Sequence, residues 1–112
     1  MRASALTTHI LDTATGKPAV GVKVELYRRE DSGAVLVTEL LTNADGRTDT
    51  PLMNSEKFIP GRYELRFHIG AHFGGVGFLD VVPIAVTLAA GEGHYHVPLL
   101  CTPWSYATYR GS

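Results

Sequence analysis

The chain has 112 residues, 45% of them hydrophobic, and a formal net charge of −1. That length fits one domain able to bury roughly two thirds of the surface its unfolded form exposes, and the hydrophobic content argues against disorder. No segment is strongly basic, which argues against nucleic acid or an anionic membrane as partner, and Cys101, the lone cysteine, leaves no internal disulfide and no multi-cysteine zinc site.

Leu6 to Asp12 predicts a first strand, with Thr7, His9 and Leu11 on one face and Thr8 and Ile10 on the other. Thr13 to Ala19 is turn-like. Val20 to Arg28 alternates Val20, Val22, Val24 and Leu26 against polar residues, the pattern of a half-buried antiparallel strand. Asp31-Ser32-Gly33 turns the chain into a third strand, Val35 to Leu41, and Asn43-Ala44-Asp45-Gly46 forms a loop. Gly61 to Phe67 alternates Tyr63, Leu65 and Phe67 with charges. Ile69 to Phe78 is glycine-rich and reads equally as a short helix or an irregular loop. Val81 to Ala90 is almost continuously apolar, and Pro83 places its strand start or a sheet edge there. Gly91-Glu92-Gly93 leads into His94 to Leu100, and Trp104 to Tyr109 predicts the last strand, with Trp104 and Tyr106 on a bulky core face. About seven short strands with regular turn signals predict a single all-β sandwich domain over residues 1–112.

No apolar run approaches the ~20 residues of a bilayer span. The start, Met1-Arg2-Ala3-Ser4-Ala5, lacks the apolar core of a secretion signal. A cytoplasmic protein is therefore expected, or a periplasmic one after removal of a leader.

Several residues carry chemistry. His94, His96, Pro98 and Leu100 share one strand face, and Ser105, Ala107 and Tyr109 form a small face on the last strand. Paired as a hairpin, these strands would line a groove that Thr7, His9 and Leu11 extend if the first strand lies alongside. His9 reads either as a hydrogen-bonded strand histidine or as a general base, histidine alone titrating near neutrality unperturbed. His94 and His96 have the H-x-H spacing of metal sites but no evident third ligand. Arg47, after Asp45-Gly46, is either a solvated surface cation or a planar fork for an oxygen-rich substrate. Gly74-Gly75-Val76-Gly77 lacks the lysine and hydroxyl of a phosphate loop. Cys101 reads as an inert core thiol, and Ser112 has no nucleophile-elbow context.

Four segments taken together are informative: Thr7-Thr8-His9-Ile10-Leu11-Asp12, Asn43-Ala44-Asp45-Gly46-Arg47, His94-Tyr95-His96-Val97-Pro98-Leu99-Leu100, and the tail Tyr109-Arg110-Gly111-Ser112. In this order, with Gly61-Arg62-Tyr63-Glu64-Leu65 between, they resemble the 5-hydroxyisourate hydrolases, or transthyretin-related proteins, over essentially the whole chain. The resemblance implies a transthyretin-like sandwich of two four-stranded sheets with one short helix after the fifth strand. It also implies a homotetramer, a dimer of dimers with sites at subunit interfaces around a central channel. Its site residues fall on His9, Arg47, His96, Tyr109 and Ser112, with no metal and no organic cofactor. The activity it implies is hydrolysis of 5-hydroxyisourate, a product of urate oxidation, to 2-oxo-4-hydroxy-4-carboxy-5-ureidoimidazoline. The rival is a transthyretin-like carrier that binds a small molecule in the channel; imidazoles at the channel mouth argue against it.

Overall fold

The computed structural model describes residues 4–111. Eight strands form two four-stranded sheets. The first sheet has the order β2-β1-β7-β8, from β1 (Ala5–Asp12), β2 (Lys17–Pro18), β7 (His94–Cys101) and β8 (Tyr106–Thr108). The second has the order β4-β3-β5-β6, from β3 (Lys23–Glu30), β4 (Gly33–Leu41), β5 (Gly61–His68) and β6 (Val81–Leu88). One helical turn, α1 (Ile69–His72), follows β5.

Period-two alternation sends Leu6, Ile10, Val24, Leu26, Tyr63, Leu65, Phe67, Val82, Val97 and Leu99 between the sheets, where they form the core. Burying a side chain of this size stabilises by about 1.5–3 kcal/mol, which is why the pattern fixes the faces so firmly. Of the buried polar residues, Thr8 and Asp12 on β1 are both satisfied. Thr8 donates its hydroxyl to the Val97 carbonyl at 2.7 Å. Asp12 accepts from the amides of Ala14 and Thr15 and from the His72 ring, tying the end of β1 to α1. Burial alone would raise the Asp12 pKa, but the His72 hydrogen bond and the two amides outweigh it and hold the carboxyl below its ordinary value.

β1 and β7 run parallel, with Thr7 opposite His96 and His9 opposite Pro98. β7 and β8 form the expected antiparallel pair, Leu100 opposite Ala107. The faces predicted for β1 and β7 are thus the ones observed.

Three local expectations need correction. Val20 does not share the inward face of its neighbours; it is 56% exposed, because Gly21 adopts φ +74° and breaks the alternation before β3 begins at Lys23. Trp104 and Tyr106 are not core residues. Trp104 lies in the turn before β8 and is exposed, and Tyr106, though aligned with buried Cys101, sits on an edge strand where the second sheet does not cover it. The last strand is also shorter than Trp104 to Tyr109. The undecided stretch after β5 resolves into the single turn of α1 followed by Gly74 and Gly75, both at positive φ. Gly70 there is required by space: an added Cβ would lie 2.5 Å from the Asp80 carboxylate.

Cys101 is buried, and burial, helped by the Asp12 charge, pushes its thiol up to about 11, which leaves it an inert core residue. No helix among the described residues is long and apolar enough to cross a membrane.

Candidate active site

The site is built on the outward face of the first sheet. β1 supplies Thr7 and His9, and β7 supplies His94 and His96. Because the two strands are parallel and in register, Thr7 stands directly beside His96 on that face.

Arg47 arrives from a loop, and hydrogen bonds at both of its ends and to β1 fix that loop. Thr42, buried, donates its hydroxyl to the Ala19 carbonyl and accepts from the Val22 amide. The Asn43 side chain accepts from the amides of Asp45 and Arg47, an Asx-type turn. The Ile10 amide donates to the Gly46 carbonyl at 2.8 Å, and Arg47 forms an isolated antiparallel bridge with His9. Gly46 makes this approach possible. Its φ is +76°, and a Cβ there would lie 2.5 Å from the Ile10 carbonyl oxygen.

The tail comes from the other side. Its backbone continues from β8 along β7, and the Gly111 amide donates to the His96 carbonyl. A Cβ on Gly111 would lie 2.9 Å from His96 Cδ2, so only glycine lets the tail press against that ring.

Between these elements is a cleft of about 410 Å³ lined by Thr7, Thr8, Arg47, Thr48, His94 and His96. Its chemistry is one-sided: imidazoles, a guanidinium and hydroxyls. Arg47 makes no ion pair among the described residues. His96 is half-buried, and its pKa is lowered first by desolvation, then by the charges of Arg47, His9 and His94. It is therefore a neutral imidazole near pH 7, able to accept a proton. The Thr7 hydroxyl lies 2.8 Å from His94 Nε2 and 2.8 Å from His96 Nδ1. The H-x-H pair thus closes around a hydroxyl, and among the described residues no group of three or more metal-ligating side chains occurs.

Of the residues expected in the site, His9, Arg47 and His96 are brought onto one face. Tyr109 is elsewhere within the single chain: it is exposed and borders a second cavity of about 320 Å³ between the sheet edges, beside Leu88, Val97 and Arg110. Ser112 lies outside the described residues. Sequence reasoning placed Thr7 on the right face without a role, and it passed over Thr48. The parallel pairing of β1 with β7, which puts Thr7 against His96, has no signal in residue spacing.

A two-sheet sandwich of this strand order defines a transthyretin-like fold, and one outer face of it carries an imidazole and guanidinium cleft. The HIUase/Transthyretin family model matches residues 6–111, and the chain belongs to that family. It is 53% identical over 113 residues to the 5-hydroxyisourate hydrolase of Deinococcus radiodurans, covering 96% of this chain and 95% of that protein. The solved 5-hydroxyisourate hydrolase of Klebsiella pneumoniae superposes with a TM-score of 0.82 at 36% identity, covering 100% of this chain and 96% of the other. Sea bream transthyretin in complex with thyroxine superposes with a TM-score of 0.88 at 26% identity, covering 96% and 94%.

Proposed function

We propose that this chain hydrolyses 5-hydroxyisourate to 2-oxo-4-hydroxy-4-carboxy-5-ureidoimidazoline, a step of urate breakdown, with no metal or organic cofactor. The observation that carries this is the convergence of His9, Arg47 and His96 on one face of β1 and β7 in a chain about half identical to a named hydrolase.

Water adds to a ring amide carbonyl of the substrate. One imidazole, His9 first and His96 second, takes the water proton as the C–O bond forms; the other orients the water. The negative charge that develops on the carbonyl oxygen is met by the Arg47 guanidinium, whose planar fork also holds the substrate's oxygens. The ring C–N bond then breaks, and the departing nitrogen recovers the proton from the imidazolium. Proton transfer by a placed base contributes roughly 10²–10⁴-fold. Neighbouring positive charge resists double protonation, which keeps an acceptor available at pH 7. Tyr109 and Ser112 act through the assembly proposed next, in which they hydrogen-bond the substrate and close the pocket.

The assembly we propose is a homotetramer, a dimer of dimers, with the outer face of the first sheet lining a central channel and each site completed at a subunit interface. The large exposed side chains Trp104, Tyr106 and Tyr109, in and beside the edge strand β8, support this as neighbouring apolar surface that association would cover. Light scattering should return the mass of four chains; the mass of one would contradict it.

The activity is tested by following freshly generated 5-hydroxyisourate in the ultraviolet. The protein should speed its decay, and His9→Ala should remove most of the acceleration. Spontaneous decay in the presence of folded protein, together with tight binding of an iodinated hormone, would favour the carrier reading that the likeness to sea bream transthyretin raises.

A further inference from the structure

The Thr7 hydroxyl sits between two imidazole nitrogens at equal distance, 2.8 Å to His94 Nε2 and 2.8 Å to His96 Nδ1. A hydroxyl carries one hydrogen and so can donate to only one of them. The other nitrogen, to bond at all, must carry its own hydrogen and donate to the Thr7 oxygen. The three side chains therefore share a single pattern, and the tautomers of the two rings are linked through Thr7.

Two patterns are available. If Thr7 donates to His96, then His96 carries its hydrogen on Nε2 and offers the cleft a donor. If Thr7 donates to His94, then His96 carries its hydrogen on Nδ1 and offers the cleft a lone pair. Two features select the second. Arg47 brings five N–H donors and a positive charge to the same cleft, and that field favours a neighbouring ring whose lone pair, not its N–H, faces it. His94 is exposed, so water can accept from its Nδ1–H when Nε2 receives the Thr7 proton.

We propose that Thr7 is a positioning residue that, braced against His94, holds His96 as the Nδ1–H tautomer and so presents Nε2 to the cleft as a proton acceptor. This rests on the hydrolase reading for its consequence in turnover but not for its tautomer. Gly111 fixes the same ring from the opposite side, since its missing side chain allows the tail backbone to lie against Cδ2. The ring is thus held in place by the tail and held in one protonation pattern by Thr7. An acceptor at this point serves the reaction whether His96 removes the water proton or aligns the water for His9.

The test is Thr7→Val, which keeps the β-branched shape on β1 and removes only the hydroxyl, with Thr7→Ser as the conservative partner. Long-range nitrogen–proton correlation spectra of the imidazoles at pH 8 read the tautomer, and steady-state kinetics on 5-hydroxyisourate read the consequence. In the unmodified protein His96 should be predominantly Nδ1–H. In Thr7→Val it should move toward Nε2–H, with kcat down about tenfold or more, consistent with partial loss of general-base catalysis, and KM changed less than about twofold. Thr7→Ser should restore both. An Nε2–H tautomer in the unmodified protein would overturn the proposal, as would a Thr7→Val protein in which the tautomer is unchanged, whatever its kcat. If the tautomer moves as stated while the unmodified protein fails to hydrolyse 5-hydroxyisourate, the positioning role stands and the hydrolase reading falls.

Discussion

The outer faces of the two sheets carry similar residues and treat them oppositely. On the second sheet, His68 bonds the Glu25 carboxylate, Tyr27 donates to the same carboxylate, and Arg66 pairs with Glu64 at 2.6 Å while its guanidinium covers the Tyr27 ring. His68 and Arg66 there each have a carboxylate beside them. On the first sheet, His9, His94, His96 and Arg47 gather with hydroxyls only, and none of them forms an ion pair among the described residues. The titrations follow. The His68 hydrogen bond, ahead of burial that works the other way, lowers the Glu25 pKa and keeps that carboxylate charged; burial and like charges lower the His96 pKa and favour a neutral ring. A face whose histidine and arginine are met by carboxylates reads as a solvated structural surface. The other face leaves, among the described residues, a guanidinium and a neutral imidazole without counter-ions, the setting that the proposed binding of an oxygen-rich substrate requires.

The comparison breaks if a carboxylate is placed on the functional face. Thr48→Asp, in the cleft beside Arg47, should pair with the guanidinium and cost roughly 10²–10³-fold in kcat, about what loss of an oxyanion donor costs. An unchanged kcat would show that Arg47 acts elsewhere. Gly46→Ala should come next in size. It forces a side chain into positive φ and against the Ile10 carbonyl, costing of order 1–3 kcal/mol, and it displaces the backbone of Arg47. A lowered urea midpoint together with lost turnover is the expected pair of results.

The dependence of kcat on pH sharpens the contrast. Because the His96 pKa lies below the ordinary 6.5, its neutral form prevails at pH 7, and turnover should hold there and decline only below pH 6.5. In Thr48→Asp the added negative charge should move that decline upward. The smallest effect is expected on the other sheet. Glu25 has a lowered folded pKa, so its pairing adds stability above its ordinary value of 4.5 and loses it as pH falls through the folded value. Glu25→Gln should therefore lower stability at pH 7 by less than about 1 kcal/mol, the difference vanishing in acid, with turnover untouched.

Much of this was legible in the residues. Strict alternation in β1 and β7 placed His9 and His96 on outward faces, because the burial of Leu6, Ile10, Val97 and Leu99 leaves no other arrangement. The motif Asn43 to Arg47 and the tail carried the family. What spacing could not supply was adjacency: which strand lies beside which, and hence that Thr7 bridges His94 and His96. Aromatic size misled at Trp104 and Tyr106, where an edge strand extends past the sheet that would have covered it. The position of Tyr109, beside a cavity of its own in the single chain, likewise depends on how copies assemble rather than on local pattern.

The central claim is that the Arg47 guanidinium, which has no ion-pair partner among the described residues, serves the hydrolysis of a ring amide. It is tested most directly by the ultraviolet decay of freshly made 5-hydroxyisourate with the unmodified protein and with Arg47→Ala. Arg47 is exposed and held by its backbone, so the variant should fold normally. The account predicts accelerated decay that Arg47→Ala returns nearly to the spontaneous rate; equal acceleration by both proteins would contradict it.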